Sequence, residues 1–79
     1  MAIRELDTVV LTRDVPEHGL LAGDLGAVVH VHSATVFEVE FVTADGRTVA
    51  LLTLTANDIR PRGTNEILRV RDFAGPVPA

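Results

Sequence analysis

Residues 36–55 constrain the fold most. From Val36 to Thr43, Phe37, Val39 and Phe41 alternate with Glu38, Glu40 and Val42; Asp45-Gly46 interrupts; Arg47 to Thr55 resumes as an apolar and threonine-rich run. A period of two belongs to a strand with one buried face. Asp-Gly between two such runs is a hairpin signal. It predicts a type I′ turn, because both residues tolerate positive φ. A chain organised around this hairpin has to bury the Phe37, Val39, Phe41 face against further strands.

Those strands are legible on either side. Leu6 to Arg13 predicts a first strand, about Ala27 to His32 a second, Val36 to Thr43 a third, Arg47 to Thr55 a fourth, and Ile59 to Arg62 a fifth that stops near Pro61. Residues 14–23 hold Pro16, Gly19 and Gly23 and read as a loop. Ala56-Asn57-Asp58 reads as one short 3-10 turn. Glu66 to Phe73 is too short for periodicity to type, and forms a C-terminal extension. The expected organisation is one domain over 1–73 and a flexible tail over 74–79. The expected fold class is all-β, about five antiparallel strands in a sheet closed on itself.

Turn chemistry then assigns faces. A three-residue loop at Ser33 to Thr35 sets Val31 opposite Phe37 and Val29 opposite Val39, all inward with Phe41. It puts His30 beside Glu38 and Val28 beside Glu40 on the outside. A two-residue loop would set Val31 against Glu38 and bury a charge. Across Asp45-Gly46, Val42 meets Val49 and Phe41 meets Ala50, so Ala50, Leu52 and Leu54 join the core. Val36, Val42, Val49 and Leu51 are left on the outer face, with Val28 nearby. Strands apolar on both faces are usually covered on both. The cover is either the C-terminal segment, through Ile67, Leu68, Val70 and Phe73, or a second copy of the chain. These five outer residues are the expected interface.

Composition narrows the function. The chain has 79 residues, a formal net charge of -4, no cysteine, tryptophan or tyrosine, and seven basic residues, all arginine. Without cysteine there is no disulfide framework and no thiolate zinc site. The acidic balance argues against general binding to nucleic acid or an anionic membrane. No apolar run is long enough to span a bilayer and the first residues do not read as a signal peptide, so a cytoplasmic location is expected. A domain this small buries only about 60% of its unfolded surface, which favours a partner chain, either another copy or a different protein.

Little in the chain points to chemistry. His30 and His32 share a strand face and, with Glu38, are the only metal candidates; they fall short of the four ligands of a structural site, and His18 is on a distant loop. Glu38 and Glu40 have no predicted cleft to work in. Residues 21–26 are glycine-rich but lack the lysine and hydroxyl of a phosphate cradle. No catalytic residue and no cofactor are expected. Arg60 with Arg62, and Arg69 with Arg71, are i, i+2 pairs that would suit a carboxylate or phosphate. The commoner role of such pairs is a charged strand edge that discourages pairing.

Asp7 to Leu11, the run Gly23 to Val29 after the long loop, and the turn before Ile59-Arg60-Pro61 resemble SH3-like small barrels, including the KOW-type branch. More closely, Leu6 to Leu11, Pro16 to Leu20 and Val39-Glu40-Phe41 resemble a bacterial family of short uncharacterised SH3-like proteins, up to about Phe73. The resemblance implies a small SH3-like barrel and carries over no catalytic or binding residues. Some members of that family stand beside small toxin-like proteins, which implies an antitoxin or immunity partner. Two departures matter. The aromatic row that SH3 domains use for proline-rich peptides is missing, and the basic loops and stacking residues of RNA-binding KOW modules are missing too. The expected function is a non-enzymatic, self-associating protein-protein interaction module. The alternatives are a KOW-like module associated with nucleic acid or the ribosome, and a small metal-binding or enzyme-accessory subunit.

Overall fold

The structure is a computed structural model and describes residues 2–76. Five strands form one antiparallel sheet: β1 Thr8–Leu11, β2 Leu25–Val31, β3 Val36–Val42, β4 Thr48–Thr55 and β5 Ile59–Pro61, in the order β4-β3-β2-β1-β5. One short 3-10 helix, Pro16–His18, stands in the β1–β2 loop. Residues 56–58 form a hydrogen-bonded turn, closed by Asp58 N–H to the Thr55 carbonyl at 2.9 Å. No helix among the described residues is long and apolar enough to cross a membrane.

The sheet is strongly curled. β4 and β5 are its two edges, yet only Ala56, Asn57 and Asp58 separate them in sequence. Laid flat, edges four strand spacings apart would stand about 19 Å from each other. A closed β-turn brings its end residues within about 7 Å. The edges therefore converge at the Thr55–Ile59 end, although β4 and β5 do not pair. Curling gathers Val9, Leu11, Val28, Phe37, Phe41 and Leu54 into one core with Val39, Ala50 and Ile59. The loop contributes Val15 and Leu20, which form an isolated bridge and are both buried.

Two bulges change the expected faces. β1 pairs Val9 with Gly26, which turns the even-numbered residues Gly26 and Val28 inward with the Val9 side chain. The hairpin with β3 pairs Val31 with Phe37, which turns an odd-numbered residue inward. The two registers have opposite parity, so β2 needs one extra residue between them; a bulge between Val28 and His30 supplies it. Val28 therefore faces Val39 in the core, fully buried, and is not on the outer face; Val29 takes the exposed place. The inward Gly26 is needed there: a Cβ on it would lie 2.5 Å from Val39 Cγ1 and 2.9 Å from Phe41 Cε1.

The second bulge sits in β3–β4, where Phe41 pairs with Ala50 but Val42 pairs with Thr48. Val49 is the extra residue, and it packs partly against the core rather than standing opposite Val42. The turn is not type I′. Gly46 N–H reaches the Thr43 carbonyl at 2.9 Å, and only Gly46 has positive φ, at 86°. Ala44 and Asp45 are thus the central residues of an ordinary turn, followed by a left-handed glycine, the longer hairpin form. Asp45 takes part differently, accepting from the Thr43 hydroxyl and, at 3.4 Å, from Arg47 N–H. β1 also begins later than expected, because Leu6 has a φ of 71° and cannot continue a strand.

Candidate interaction surfaces

Three surfaces are left once the core is assigned. The first is the outer face of β3 and β4. Val42 and Leu51 are 53% and 54% exposed, and Val36 is half-buried. Alternation puts Glu38 and Glu40 on the same face of β3, between Val36 and Val42. Glu40 stands opposite Leu51 and accepts from the Thr48 hydroxyl at 2.7 Å. The apolar patch is thus narrower than the five pooled residues suggest: Val42 and Leu51 at one end, Val36 at the other, a carboxylate pair between. Beside this face lies the free edge of β4. Its eight residues carry no charge, no proline and, among the described residues, no backbone partner on the outer side. The other edge, β5, has three residues, including Arg60 and Pro61. Short length, proline and arginine are the devices that keep a sheet edge from pairing; β4 has none of them.

The C-terminal segment does not cover this face. Ile67 and Val70 are 95% and 93% exposed. Residues 69–73 leave a hollow of about 670 Å³ against the β3–β4 hairpin, lined by Val42, Val49, Val70 and Phe73. The segment lies instead over β1 and the loop. Val10, buried but outside the main core cluster, lies beneath it. Its far end rests on Gly19, whose φ of 71° favours glycine; a Cβ there would run into the Gly75 carbonyl. Of the tail expected at 74–79, residues 77–79 lie outside the described residues.

The second surface holds the histidines. His30 and His32 do share a face, with ring centroids 4.6 Å apart in an edge-on arrangement. His30 is paired with Glu38 in the backbone register, but it is His32 Nε2 that contacts Glu38 Oε1, at 3.1 Å; His30 Nδ1 lies 3.8 Å from Glu5. Glu38 also accepts from the Thr53 hydroxyl at 2.7 Å. That bond, then His32, holds its pKa below the ordinary carboxylate value. No group of three or more potential metal-ligating side chains gathers among the described residues.

The third surface joins all four C-terminal-half arginines singled out in the sequence. Arg60, Arg62, Arg69 and Arg71 line one cavity of about 360 Å³, floored by Val10 and Leu25. Arg60 clamps Glu66 with two bonds of 2.8 and 2.6 Å, and Glu66 also accepts from Gly63 N–H. Arg71 clamps Asp24 at 2.8 and 2.5 Å and donates to the Gly19 carbonyl at 3.1 Å. These two clamps anchor the C-terminal segment to the sheet and to the β1–β2 loop. Sequence distance hides the second one, since 47 residues separate Asp24 from Arg71.

The anchors set a pH dependence. Arg60, with Gly63 N–H, holds Glu66 at about 2 against an ordinary 4.5. Burial pushes Asp24 upward, but the bonds from Arg71 and from Leu21 N–H outweigh it and its pKa lies below the ordinary value. For carboxyls depressed in the folded state, the contribution is complete above the ordinary pKa and lost as pH falls through the folded one. Glu66→Gln should therefore release this anchor at neutral pH, seen as faster exchange of the Gly63 amide that Glu66 holds. In the parent protein the same release should appear only on acidification from about pH 4.5 towards 2. Unchanged exchange in the variant would show that the clamp holds nothing.

Residues 5–61, which span β1 to β5, match the family model described as Domain of unknown function (DUF4926). The chain belongs to that family. No curated protein and no solved structure matches it. The DUF4926 match ends at Pro61, so the C-terminal segment with Arg62, Glu66, Arg69 and Arg71 lies beyond it. Only Asp24 and Arg60, of the charged groups around the cavity, fall inside the matched region.

Proposed function

We propose that this DUF4926 protein is a non-enzymatic protein-protein interaction module that associates with a second copy of itself. The unguarded β4 edge carries the reading: eight uncharged residues beside an exposed Leu51. Two such strands related by a two-fold axis would pair antiparallel into one continuous sheet, with Leu51 near the centre and Val42 and Val36 flanking it. Uncharged strands meet without like-charge repulsion, which matters in a chain of net charge -4. On this reading the curled sheet is a partly open SH3-like barrel, as the resemblance to short bacterial SH3-like proteins implies. It works in the bacterial cytoplasm, where a cysteine-free chain suits the reducing conditions. The assembled dimer then serves as the small partner of another protein, of the antitoxin or immunity kind.

Sedimentation velocity over a concentration series tests this. The parent protein should dimerise, and Leu51→Asp, which sets a charge at the seam, should weaken dimerisation at least about tenfold while leaving the far-UV spectrum and unfolding midpoint unchanged. A parent protein that stays monomeric at millimolar concentration would overturn the reading. So would a variant that unfolds, because Leu51 would then be internal core.

A further inference from the structure

The arginine-lined cavity is unused by the self-association just proposed and shares no residue with the β4 edge. Its charge is out of character with the chain. Four guanidinium groups against Glu66 and Asp24 leave two positive charges, whereas the remaining three arginines stand against nine carboxylates. Arg60 and Arg71 are engaged by the two clamps. Arg62 and Arg69 make no side-chain hydrogen bond or ion pair among the described residues. They flank an apolar floor made by Val10 and Leu25, with Leu68 on the exposed wall. A cavity with two unengaged cations and an apolar floor is complementary to a ligand that carries carboxylates beside an apolar side chain.

We propose that this cavity receives an acidic, leucine-bearing segment of another protein, with its carboxylates on Arg62 and Arg69 and its apolar side chain on Val10, Leu25 and Leu68. The chain already shows this recognition in miniature. Its own Glu66 and Asp24 satisfy Arg60 and Arg71 with the paired bonds that a guanidinium offers a carboxylate. An incoming acidic segment would complete the set. A small molecule suits the site less, because Leu21, Ile67 and Leu68 are exposed and the walls would leave much of a small ligand uncovered. A nucleic acid suits it less again. No aromatic side chain lines the cavity to stack a base, and the acidic remainder of the surface repels a polyanion.

The test is an NMR titration of ¹⁵N-labelled protein with the peptide acetyl-Glu-Leu-Glu-Leu-Glu-amide. Shift changes should concentrate at residues 21–25, 60–62 and 66–71. Arg62→Gln with Arg69→Gln should weaken binding about tenfold; the spectrum of that double variant shows whether the fold is intact, as expected for side chains without internal bonds. The peptide with Gln for Glu should bind at least as weakly. With the peptide, four results would overturn the proposal: no shifts at millimolar peptide, shifts centred elsewhere, equal binding of the Gln peptide, or full competition by inorganic phosphate, which would mark a site for small oxyanions. Tighter, salt-dependent binding of a short oligothymidylate would overturn it in favour of a nucleic-acid surface. Because the β4 edge shares no residue with this cavity, the same titration on the Leu51→Asp protein separates failure here from failure of the self-association reading.

Discussion

Phe41→Ala is expected to lower the stability of this domain by about 3–5 kcal/mol. Domains of this length are stable by roughly 4–12 kcal/mol in total, so the loss is about a quarter or more of what is available. Phe41 is fully buried, pairs with Ala50 across β3–β4, and lays its ring edge where Gly26 has no side chain. The surrounding strands are hydrogen-bonded in register and cannot close over the gap. Urea unfolding followed by circular dichroism should show a lower midpoint with little change in slope. A second substitution separates cavity formation from general damage. Gly26→Ala alone should cost about 1–3 kcal/mol, because its methyl meets Val39 Cγ1 and the Phe41 ring. In the Phe41→Ala background it should cost less, since the ring contacts are gone and only Val39 must yield. Additive effects would show that Gly26 and Phe41 do not compete for the same space.

The relation between Gly26 and Phe41 also shows where sequence alone loses the fold. Strand number and the pairings His30 with Glu38 and Val31 with Phe37 follow from alternation and turn length, whereas Phe41 with Ala50 holds because the longer turn and the Val49 bulge offset each other. The faces of Val28, Val29 and Val49 do not. Each lies at or beside a bulge, and the need for a bulge in β2 appears only when two registers are compared: Val9 with Gly26, and Val31 with Phe37. The first of these joins residues across a loop whose geometry no local signal sets. Val15 and Leu20 were hidden for a related reason. A loop rich in proline and glycine reads as exposed, but the 3-10 turn at Pro16–His18 folds both side chains back under the sheet.

The surfaces divide in the same way. Leu51 and Val42 are legible because each sits on the outward phase of a strand. That Val36 is cut off from them by Glu38 and Glu40 also follows from the alternation, once the five apolar residues are no longer pooled as one patch. The arginine cavity is legible only as two i, i+2 pairs. Nothing local brings Arg60 and Arg62 beside Arg69 and Arg71; the chain reversal over residues 63–68 does so, held by Glu66 on Arg60. The sequence shows the charges, and the curl of the sheet together with one carboxylate clamp decides that they share a wall.

Asp58 has the second largest expected effect, because it ties together three parts of the fold. Its Oδ2 accepts from the Thr55 N–H at 2.9 Å and from the Thr55 hydroxyl at 3.1 Å; its Oδ1 accepts from Arg13 Nε at 2.7 Å; its carbonyl receives Thr12 N–H at 2.8 Å. The side chain is 16% exposed. Asp58→Ala should cost about 2–3 kcal/mol, most of it from the Thr55 amide left without an ionised acceptor. Asp58→Asn keeps a neutral acceptor and should cost less. The Thr55 amide first, and then Arg13, hold this carboxyl below its ordinary 3.8. Its contribution is therefore whole above about pH 4 and lost as pH falls through the folded value. Urea midpoints measured from pH 7 downwards should fall less steeply below about pH 4 in Asp58→Ala than in the parent, with parallel curves above it; equal acid limbs would remove Asp58 from the account. The same turn brings the β4 and β5 edges together. If the curl presents the β4 edge for pairing, Asp58→Ala should also weaken dimerisation even at a urea-free pH 7 where the monomer remains folded, and a variant that loses stability but dimerises normally would show that the edge is held by β3 alone.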